Sequence, residues 1–282
     1  MTYRSVLVHL DLDRRADARI AYAASLSREL GCHLVGAAPT GVVPLTTEVS
    51  IEAAASLAEY AQAAWAALRN HGHAACANFD SACRNAGLRS YETVSEQADR
   101  VKSLVRLAHC SDLVVLSHAD PGEASFPQAG NLVADVVLGS ARPTIVLPDA
   151  GQFGAIPSRV IVAWDDSREA ARAVADALPL LRRAHRVQIV TWVDWSEADH
   201  ASWQERQRAV QQWLTRQGVS AVLHLQRQEI GLTEAMLSHA ADFEADLIVM
   251  GAYGHPRWTE RVLGGATRDM LDSMTVPVLM SH

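Results

Sequence analysis

The stretch "SRVIVAWD", residues Ser158–Asp165, decides the fold, because a near copy of it, "RSVLVHLD", occupies Arg4–Asp11. Two further pairs recur in the same order: "SDLVVLS" (111–117) with "ADLIVMG" (245–251), and "RPTIVLP" (142–148) with "TVPVLMS" (275–281). Short continuous apolar runs are typical of strands buried on both faces of a parallel sheet. The chain therefore carries an internal repeat, and each half predicts a sheet of its own.

The segments between these strands have a helical period. After Asp165, the residues Ala170, Val174, Leu178 and Leu181 fall on one helix face. Asp166 with Glu169 three residues later resembles a capping box at the start of this helix. Each half thus predicts the order βαβαβαβαβ, which is an α/β fold with a parallel sheet covered by helices on both faces.

The predicted boundaries follow from composition. "DAGQFGAIPS", rich in glycine and proline, separates the repeats and predicts a linker at 149–158 between domains at 1–148 and 159–282. The first domain is longer near Pro39–Glu48 and between Gly72 and Asp112. An alanine-rich helix lies between these additions, which we expect to lengthen loops around the second and third strands.

Composition excludes several classes of function. The 282 residues carry 25 Lys and Arg against 32 Asp and Glu, a net charge of −7, so we expect no nucleic-acid partner. The chain begins directly with a strand pattern and lacks an apolar run of membrane-spanning length, so we expect a cytoplasmic protein. The four cysteines, all in the first half, are expected to be buried reduced thiols.

Four glycines follow the fourth predicted strand of the second half: Gly251, Gly254, Gly264 and Gly265. In doubly wound sheets, ligands bind beyond the carboxyl ends of strands where the strand order reverses. Glycine there allows a positive φ and a close approach of the backbone to a ligand. The following helix start can hold a phosphate without a lysine. Glycines at such places serve tight turns as well, so spacing alone leaves both interpretations open.

The same residues carry a family resemblance. Gly251-x2-Gly254-x9-Gly264 resembles the nucleotide-binding motif of the universal stress protein family. "VIVAWDDSREAARAV" (160–174) resembles that family's first strand, aspartate and first helix, and "VPVLM" resembles its last strand. The resemblance spans both repeats and implies a tandem protein. It also implies two Rossmann-like domains of the adenine nucleotide alpha hydrolase-like type, each a five-stranded parallel sheet of order 3-2-1-4-5.

The resemblance further implies a site for ATP, with Mg²⁺, or a related adenine nucleotide in the second domain. Asp165 would lie by the adenosine, and Val190 and Thr191 would line the adenine slot. The residues expected to hold ribose and phosphates are Gly251, Gly254, His255, Arg257, Gly264, Gly265, Ala266 and Thr267. Family members that bind ATP usually have Ser or Thr where this chain has Gly265, which leaves open whether nucleotide is bound. The Thr267 hydroxyl is the expected replacement.

The first half lacks most of this motif. Aligned with the second half, it has Ser117 for Gly251 and Asp120 for Gly254. Asp120 and Glu123 would repel phosphates, so we expect a structural or partner-binding role for this half.

The last strands of the halves are apolar edges, and the resemblance implies that they pair across a pseudo-twofold and join the domains. A homodimer of chains is left open. Two alternatives to nucleotide binding also remain: a nucleotide-free interaction protein of the same fold, and a slow ATPase. The sequence shows no paired nucleophile and base, so no catalytic residue is predicted, and no metal site is predicted either.

Overall fold

The element order of both halves is the predicted βαβαβαβαβ. The computed structural model describes residues 2–41, 51–118, 132–193, 200–254 and 265–282, with the backbone alone for 51–58 and 200. The strands are β1 (Ser5–His9), β2 (His33–Pro39), β3 (Tyr91–Glu96), β4 (Leu113–Ser117), β5 (Thr144–Leu147), β6 (Arg159–Ala163), β7 (Arg186–Val193), β8 (Ala221–Arg227), β9 (Leu247–Gly251) and β10 (Val278–Ser281). The helices are α1 (Ala16–Leu30), α2 (Ile51–Asn85), α3 (Arg100–Ala108), α4 (Leu132–Ser140), α5 (Arg168–Leu181), α6 (His200–Arg216), α7 (Leu232–Phe243) and α8 (Gly265–Ser273).

The strands form one sheet in the order β3-β2-β1-β4-β5-β10-β9-β6-β7-β8. Within each half all pairs are parallel, and both halves have the order 3-2-1-4-5, which confirms the predicted fold class. β5 and β10 pair antiparallel, with Ile145 opposite Leu279 and Val146 opposite Val278. Because this pair is antiparallel, the strands of one half run opposite to those of the other.

Further contacts between the halves involve α5 and the turn that follows it. The Tyr3 hydroxyl donates to the carbonyl of Asp176 in α5 at 2.6 Å. Arg183, two residues after α5, donates to the carbonyl of Glu29 at the end of α1, at 2.7 Å. Within the second half, the Ser281 hydroxyl donates to the Asp176 carboxylate at 3.0 Å. The segment of α5 and its following turn is therefore tied to the beginning of the chain and to the end of α1.

The apolar core has two layers, one on each face of the sheet. Val6 and Val8 of β1 pack in one cluster with residues of α1, α2, α5 and α6, whereas Leu7 packs in the other with residues of α3, α4, α7 and α8. Each layer runs across both halves. This alternation explains the continuous apolar strand sequences, since successive side chains point to opposite, equally buried faces. No helix of the described ranges has both the length and the apolar content needed to span a membrane.

Helix α2 corrects the prediction of a longer loop after Gly72, because it continues through this glycine to Asn85. A Cβ on Gly72 would lie 2.9 Å from Thr40 Cγ2 and 3.4 Å from Ser95 Oγ. Glycine at this position therefore lets the helix pack closely on the ends of β2 and β3. Most of the other predicted addition, 42–50, lies outside the described residues.

The cysteines are all free, but their burial differs from the prediction. Cys32 and Cys83 are buried, Cys76 is half-buried and Cys110 is exposed. Cys110 lies in the turn after α3, where the chain leaves the helix before entering β4. The expectation of four buried thiols is therefore wrong for Cys110.

Candidate functional site

The strand order reverses between β6 and β9 in the second half. From β6 the chain passes through α5 to β7 on one side, and from β9 it passes through α8 to β10 on the other. Connections that diverge in this way leave a crevice at the carboxyl ends of the two strands. Asp165 follows β6 and Gly251 ends β9, so the structure brings these two predicted residues to neighbouring strands at one edge.

Asp165 is exposed at this edge, and its Oδ1 accepts a hydrogen bond from the Ser167 amide at 3.1 Å. The cap of α5 is Ser167, whose hydroxyl accepts from the Ala170 amide at 3.1 Å. The predicted capping box beginning at Asp166 is therefore wrong by one residue. Asp166 instead adopts a left-handed φ of 61° and pairs with Arg206 of α6 at 3.3 Å.

The two residues expected to line the adenine slot are interior. Val190 is 0% and Thr191 1% exposed. The Thr191 hydroxyl donates to the Trp164 carbonyl at 2.7 Å and accepts from Gln207 Nε2 at 3.0 Å. Gln207, also buried, was not found by sequence reasoning, because a single polar residue on a polar helix gives no signal of burial.

Gly251 and Gly254 are explained by close packing on α5. A Cβ on Gly251 would lie 2.6 Å from the Ala170 amide nitrogen and 2.7 Å from the Glu169 carbonyl carbon. One on Gly254 would lie 2.6 Å from Glu169 Oε2. Neither glycine has a positive φ, so the conformational freedom that glycine allows is not used at these two positions. In this structure the start of α5 occupies the space that a side chain at Gly251 or Gly254 would need.

Glu169 is the second residue that sequence reasoning undervalued. It is 3% exposed and pairs with the exposed side chain of Arg168. Burial raises the pKa of Glu169, but the hydrogen bond from Arg168, a hydrogen bond from its own backbone amide and the charge of Arg168 outweigh burial and leave the pKa below its usual value. An ionised carboxylate thus lies directly against Gly254.

The remaining predicted residues lie at the start of α8 or outside the described residues. Thr267 is 4% exposed, and its hydroxyl accepts from the Tyr253 amide at 3.2 Å. Gly265 and Ala266 are half-buried. They line a cavity of about 640 Å³ between the beginnings of α7 and α8, a cavity to which none of the other described site residues contributes. His255, Arg257 and Gly264 lie outside the described residues.

In the first half the corresponding edge is filled by a buried arginine. Arg19 of α1 is 1% exposed. Its guanidinium pairs with Asp11 at 2.5 Å and Asp13 at 3.2 Å, and it donates to the Ser117 hydroxyl at 2.9 Å and the His9 carbonyl at 2.9 Å. We call these five residues the Arg19 cluster. Its members span the ends of β1 and β4, the two strands between which the order reverses.

The Arg19 cluster distinguishes the two halves. At the spacing that aligns Asp11 with Asp165, Arg19 corresponds to Ala173, a small residue inside α5. Asp11 is held in ion pairs, whereas Asp165 is exposed. The reason predicted for the difference between the halves, repulsion by Asp120 and Glu123, lies outside the described residues.

His9 completes the Arg19 cluster as a buried neutral imidazole. It is 3% exposed, its Nδ1 lies 3.2 Å from Asp11 Oδ2, and its Nε2 has no hydrogen-bond partner among the residues that the structure describes. Burial, followed by the charge of Arg19, lowers the pKa of His9 from 6.5 to about 3. Tautomers with a proton on Nδ1 fit this geometry, because Nδ1 can then donate to Asp11.

The lowered pKa of His9 predicts acid sensitivity. Between pH 6.5 and about 3, the unfolded chain binds a proton on His9 that the folded chain does not. Above pH 6.5 His9 is neutral in both states and does not change the free energy of unfolding. As the pH decreases below 6.5, the free energy of unfolding falls by up to about 1.4 kcal/mol per pH unit for this one proton. We expect His9→Gln to flatten the pH dependence of the free energy of unfolding in this window, measured by urea denaturation. The control is His71→Gln, at an exposed position of α2, and it should keep the wild-type dependence of the free energy of unfolding on pH. If both variants show the same pH dependence, His9 is not the source of the acid sensitivity.

The fold and these edges define a duplicated, doubly wound α/β protein. Residues 157–282 match the sequence model of the universal stress protein family. The second half of the chain is thus similar to that family, and the repeated fold is consistent with the tandem type that the resemblance predicted. A comparison with curated proteins found no match.

One solved structure has the same fold over nearly the whole chain, and two further structures are similar to about half of it. A universal stress protein from Archaeoglobus fulgidus DSM 4304 aligns with 98% of this chain and 97% of its own, at 15% identity and a TM-score of 0.69. A protein from the universal stress protein family of Burkholderia pseudomallei aligns with 45% of this chain and 97% of its own, at 28% identity and a TM-score of 0.35. A universal stress protein from Archaeoglobus fulgidus in complex with dAMP aligns with 52% of this chain and 98% of its own, at 16% identity and a TM-score of 0.34.

Proposed function

We propose that the second half of this protein binds an adenine nucleotide, ATP or a relative of it, at the edge between β6 and β9. The observation that carries this proposal is the contrast between two equivalent carboxylates. Asp11 pairs with the buried Arg19 in the first half, whereas Asp165 is exposed and the position aligned with Arg19 is Ala173 in the second half. An exposed carboxylate after the first strand of a doubly wound unit can accept hydrogen bonds from the hydroxyl groups of a ribose.

The start of α8 supports the same assignment. Gly265 and Ala266 are the first described residues of this helix, and the amides of a helix's first turn have no partner within the helix. Such amides, with the positive end of the helix dipole, favour an anion. The family match covers β6, β9 and α8 together, so the elements that would hold ribose and phosphate belong to one family domain.

A second candidate function is a nucleotide-free interaction protein of the same fold. Two observations favour it: Val190 and Thr191 are interior, and Gly251 and Gly254 are already required by α5. Under this candidate the glycine segment is kept for packing, and Gly265 marks a site that has lost its phosphate-binding hydroxyl. Slow ATP hydrolysis would be a by-product of the first candidate rather than a separate function.

We also infer the organisation of the chain. The proposed domains are 1–148 and 159–282, joined by the linker 149–158, which contains neither helix nor strand. The antiparallel β5–β10 pair is the proposed means by which the domains associate within one chain. We propose a cytoplasmic stress-response protein whose nucleotide occupancy changes its stability or its choice of partner, with a homodimer of chains as a further assembly to be tested.

The test of nucleotide binding is a ligand-retention and thermal-shift experiment on the full chain. Mass spectrometry of protein purified without added ligand should detect an adenine nucleotide. Nucleotide at a hundred times its Kd should stabilise the protein by about 2.7 kcal/mol. Asp165→Asn keeps an acceptor for Ser167 but removes the charge, so it should weaken binding about tenfold or more.

Asp242→Asn is the matched control, because Asp242 is an exposed aspartate on α7 in the same half. It should bind like the wild type. If adenosine, AMP, ADP and ATP all leave the melting temperature of the wild type unchanged, the first candidate is wrong and the nucleotide-free interaction protein replaces it.

A further inference from the structure

Strand β8 is one of the two outer strands of the ten-stranded sheet, and β3 is the other. β8 pairs with β7 along seven residues, from Ala221 to Arg227. On its other side it pairs with no strand of the described part of the chain. An outer strand presents a row of backbone N–H and C=O groups that can pair with a further strand. β8 therefore offers a hydrogen-bonding edge to a partner.

The ladder between β7 and β8 shows which backbone groups form this edge. The Gln228 amide donates to the Val193 carbonyl at 3.0 Å, and Val193 lies opposite Arg227. In a parallel ladder, alternate residues of a strand direct both backbone groups to the same neighbour. The even-numbered residues of β8 therefore bond to β7. Leu223 and Leu225 direct their N–H and C=O groups away from the sheet.

β8 lacks the features that usually protect an outer strand. Residues 219–226, "VSAVLHLQ", contain neither proline nor an acidic or basic side chain apart from one histidine. Val222 is 59% exposed. At the start of the strand, Gln211 of α6 donates to the Ala221 carbonyl at 2.7 Å and so occupies one outward group. The edge available to a partner thus begins after Ala221.

The opposite outer strand, β3, is protected by charge. Its sequence "YETVSE" carries Glu92, which is 61% exposed, and Glu96, which pairs with Arg106. Two copies of β3 side by side would bring like charges together, which destabilises a strand pair. A contact between β8 of one copy and β3 of another would leave an open edge at each end and would continue without closing. Two β8 strands related by a twofold axis form a closed pair.

We propose that two copies of this chain associate through antiparallel pairing of their β8 strands. The twofold axis makes the edge its own complement, because the N–H and C=O groups around Leu223 and Leu225 of one copy meet the same groups of the other. The inference rests on the homodimer included in the proposed function and names its surface, and it does not depend on nucleotide binding.

The size of the contact sets the strength of the dimer. A seven-residue strand is about 23 Å long. One strand edge of this length buries less surface than the roughly 1,200–2,000 Å² of stable complexes. The dimer is therefore weak and reversible, and its population depends on protein concentration.

Sedimentation velocity of the full chain over a range of concentrations tests this inference. The wild type should be monomeric when dilute and dimeric when concentrated, without larger species. Val222→Lys places a charge on both copies of the edge and removes an apolar contact, so it should weaken the dimer about tenfold. Leu12→Lys is the matched control, since Leu12 is an aliphatic residue that is 46% exposed between β1 and α1. It should keep the wild-type Kd.

Amide hydrogen exchange of the wild type, resolved residue by residue, locates the contact without a substitution. The Leu223 and Leu225 amides should exchange more slowly at high than at low protein concentration, because only the dimer gives them a partner strand. The His224 and Gln226 amides, which point to β7, should be protected at every concentration.

Three outcomes would overturn the inference. A chain that stays monomeric at every concentration has no β8 pairing, and the proposed homodimer fails with it. A dimer that Val222→Lys does not weaken, with no change in exchange at Leu223 and Leu225, uses another surface; the inference then fails and the proposed homodimer stands. Species larger than a dimer would show that β3 also takes part, which contradicts a closed pair. None of these outcomes affects the proposed nucleotide site.

Discussion

Arg19→Ala is expected to destabilise the first half by about 3–5 kcal/mol. The guanidinium is 1% exposed and joins Asp11, Asp13, Ser117 and a carbonyl of β1. Removing it leaves the carboxylates of Asp11 and Asp13, which are 22% and 31% exposed, beside the buried imidazole of His9 and without the charge that neutralises them. The loss of one partner from a buried ion pair costs much more than the pair contributes, because the remaining charge is left desolvated.

Urea denaturation followed by far-ultraviolet circular dichroism measures this effect. Arg28→Ala is the matched control, because Arg28 lies on the same helix α1 but is 49% exposed and pairs with Glu29 on the surface. Surface pairs of this kind contribute about 0–1 kcal/mol. A loss of less than about 1 kcal/mol in Arg19→Ala would show that Asp11 and Asp13 are solvated without the arginine, and the first-half edge would then be open rather than filled.

Gly251→Ala is expected to destabilise the second half by about 1–3 kcal/mol, whether or not a ligand binds. The added Cβ would lie 2.6 Å from the Ala170 nitrogen and 2.7 Å from the Glu169 carbonyl carbon, which are backbone atoms of α5 and cannot rotate away. The start of α5 must move, and with it the Ser167 cap and the Glu169 carboxylate. A substitution at Gly251 therefore cannot separate ligand binding from folding.

The control for this variant is Gly154→Ala. A Cβ on Gly154 would meet only the Ile156 carbonyl oxygen, at 3.9 Å, and Gly154 has no positive φ. We expect a change of a few tenths of a kcal/mol or a slight stabilisation, since alanine restricts the unfolded chain more than glycine does. If Gly251→Ala unfolds at the same urea concentration as the control variant, the packing explanation of this glycine is incorrect.

The fold could be predicted from the sequence because the repeated strands are local signals. Runs such as Leu247–Gly251 and Leu113–Ser117 are buried on both faces, so their apolar composition alone identifies them as strands of a covered parallel sheet. The order of the strands came from the family resemblance rather than from periodicity. The length of α2 could not be predicted, because glycine costs about 1 kcal/mol inside a helix and the reason for Gly72 is distant in sequence: a Cβ there would lie 2.9 Å from Thr40 and 3.4 Å from Ser95.

The candidate site was less predictable, because its decisive contacts are distant in sequence. Arg19 and Ser117 are 98 residues apart, and nothing near Arg19 in the sequence distinguishes it from the exposed Arg28 of the same helix. Glu169 has the ordinary sequence context of a first-turn acidic residue, and its burial follows from two glycines more than 80 positions away. The edge location of Asp165 was predictable, since it follows from its strand alone.

The antiparallel pairing of β5 and β10 limits how the two halves can be coupled. The strands are parallel within each half, but the halves meet through one antiparallel pair. The carboxyl ends of the strands therefore point in opposite directions in the two halves. As a result, the Arg19 cluster and the edge at Asp165 lie toward opposite ends of the sheet. No single small molecule can bridge them. A signal passing from one edge to the other would have to travel along the shared strands, or through α5 and its attachment to Tyr3.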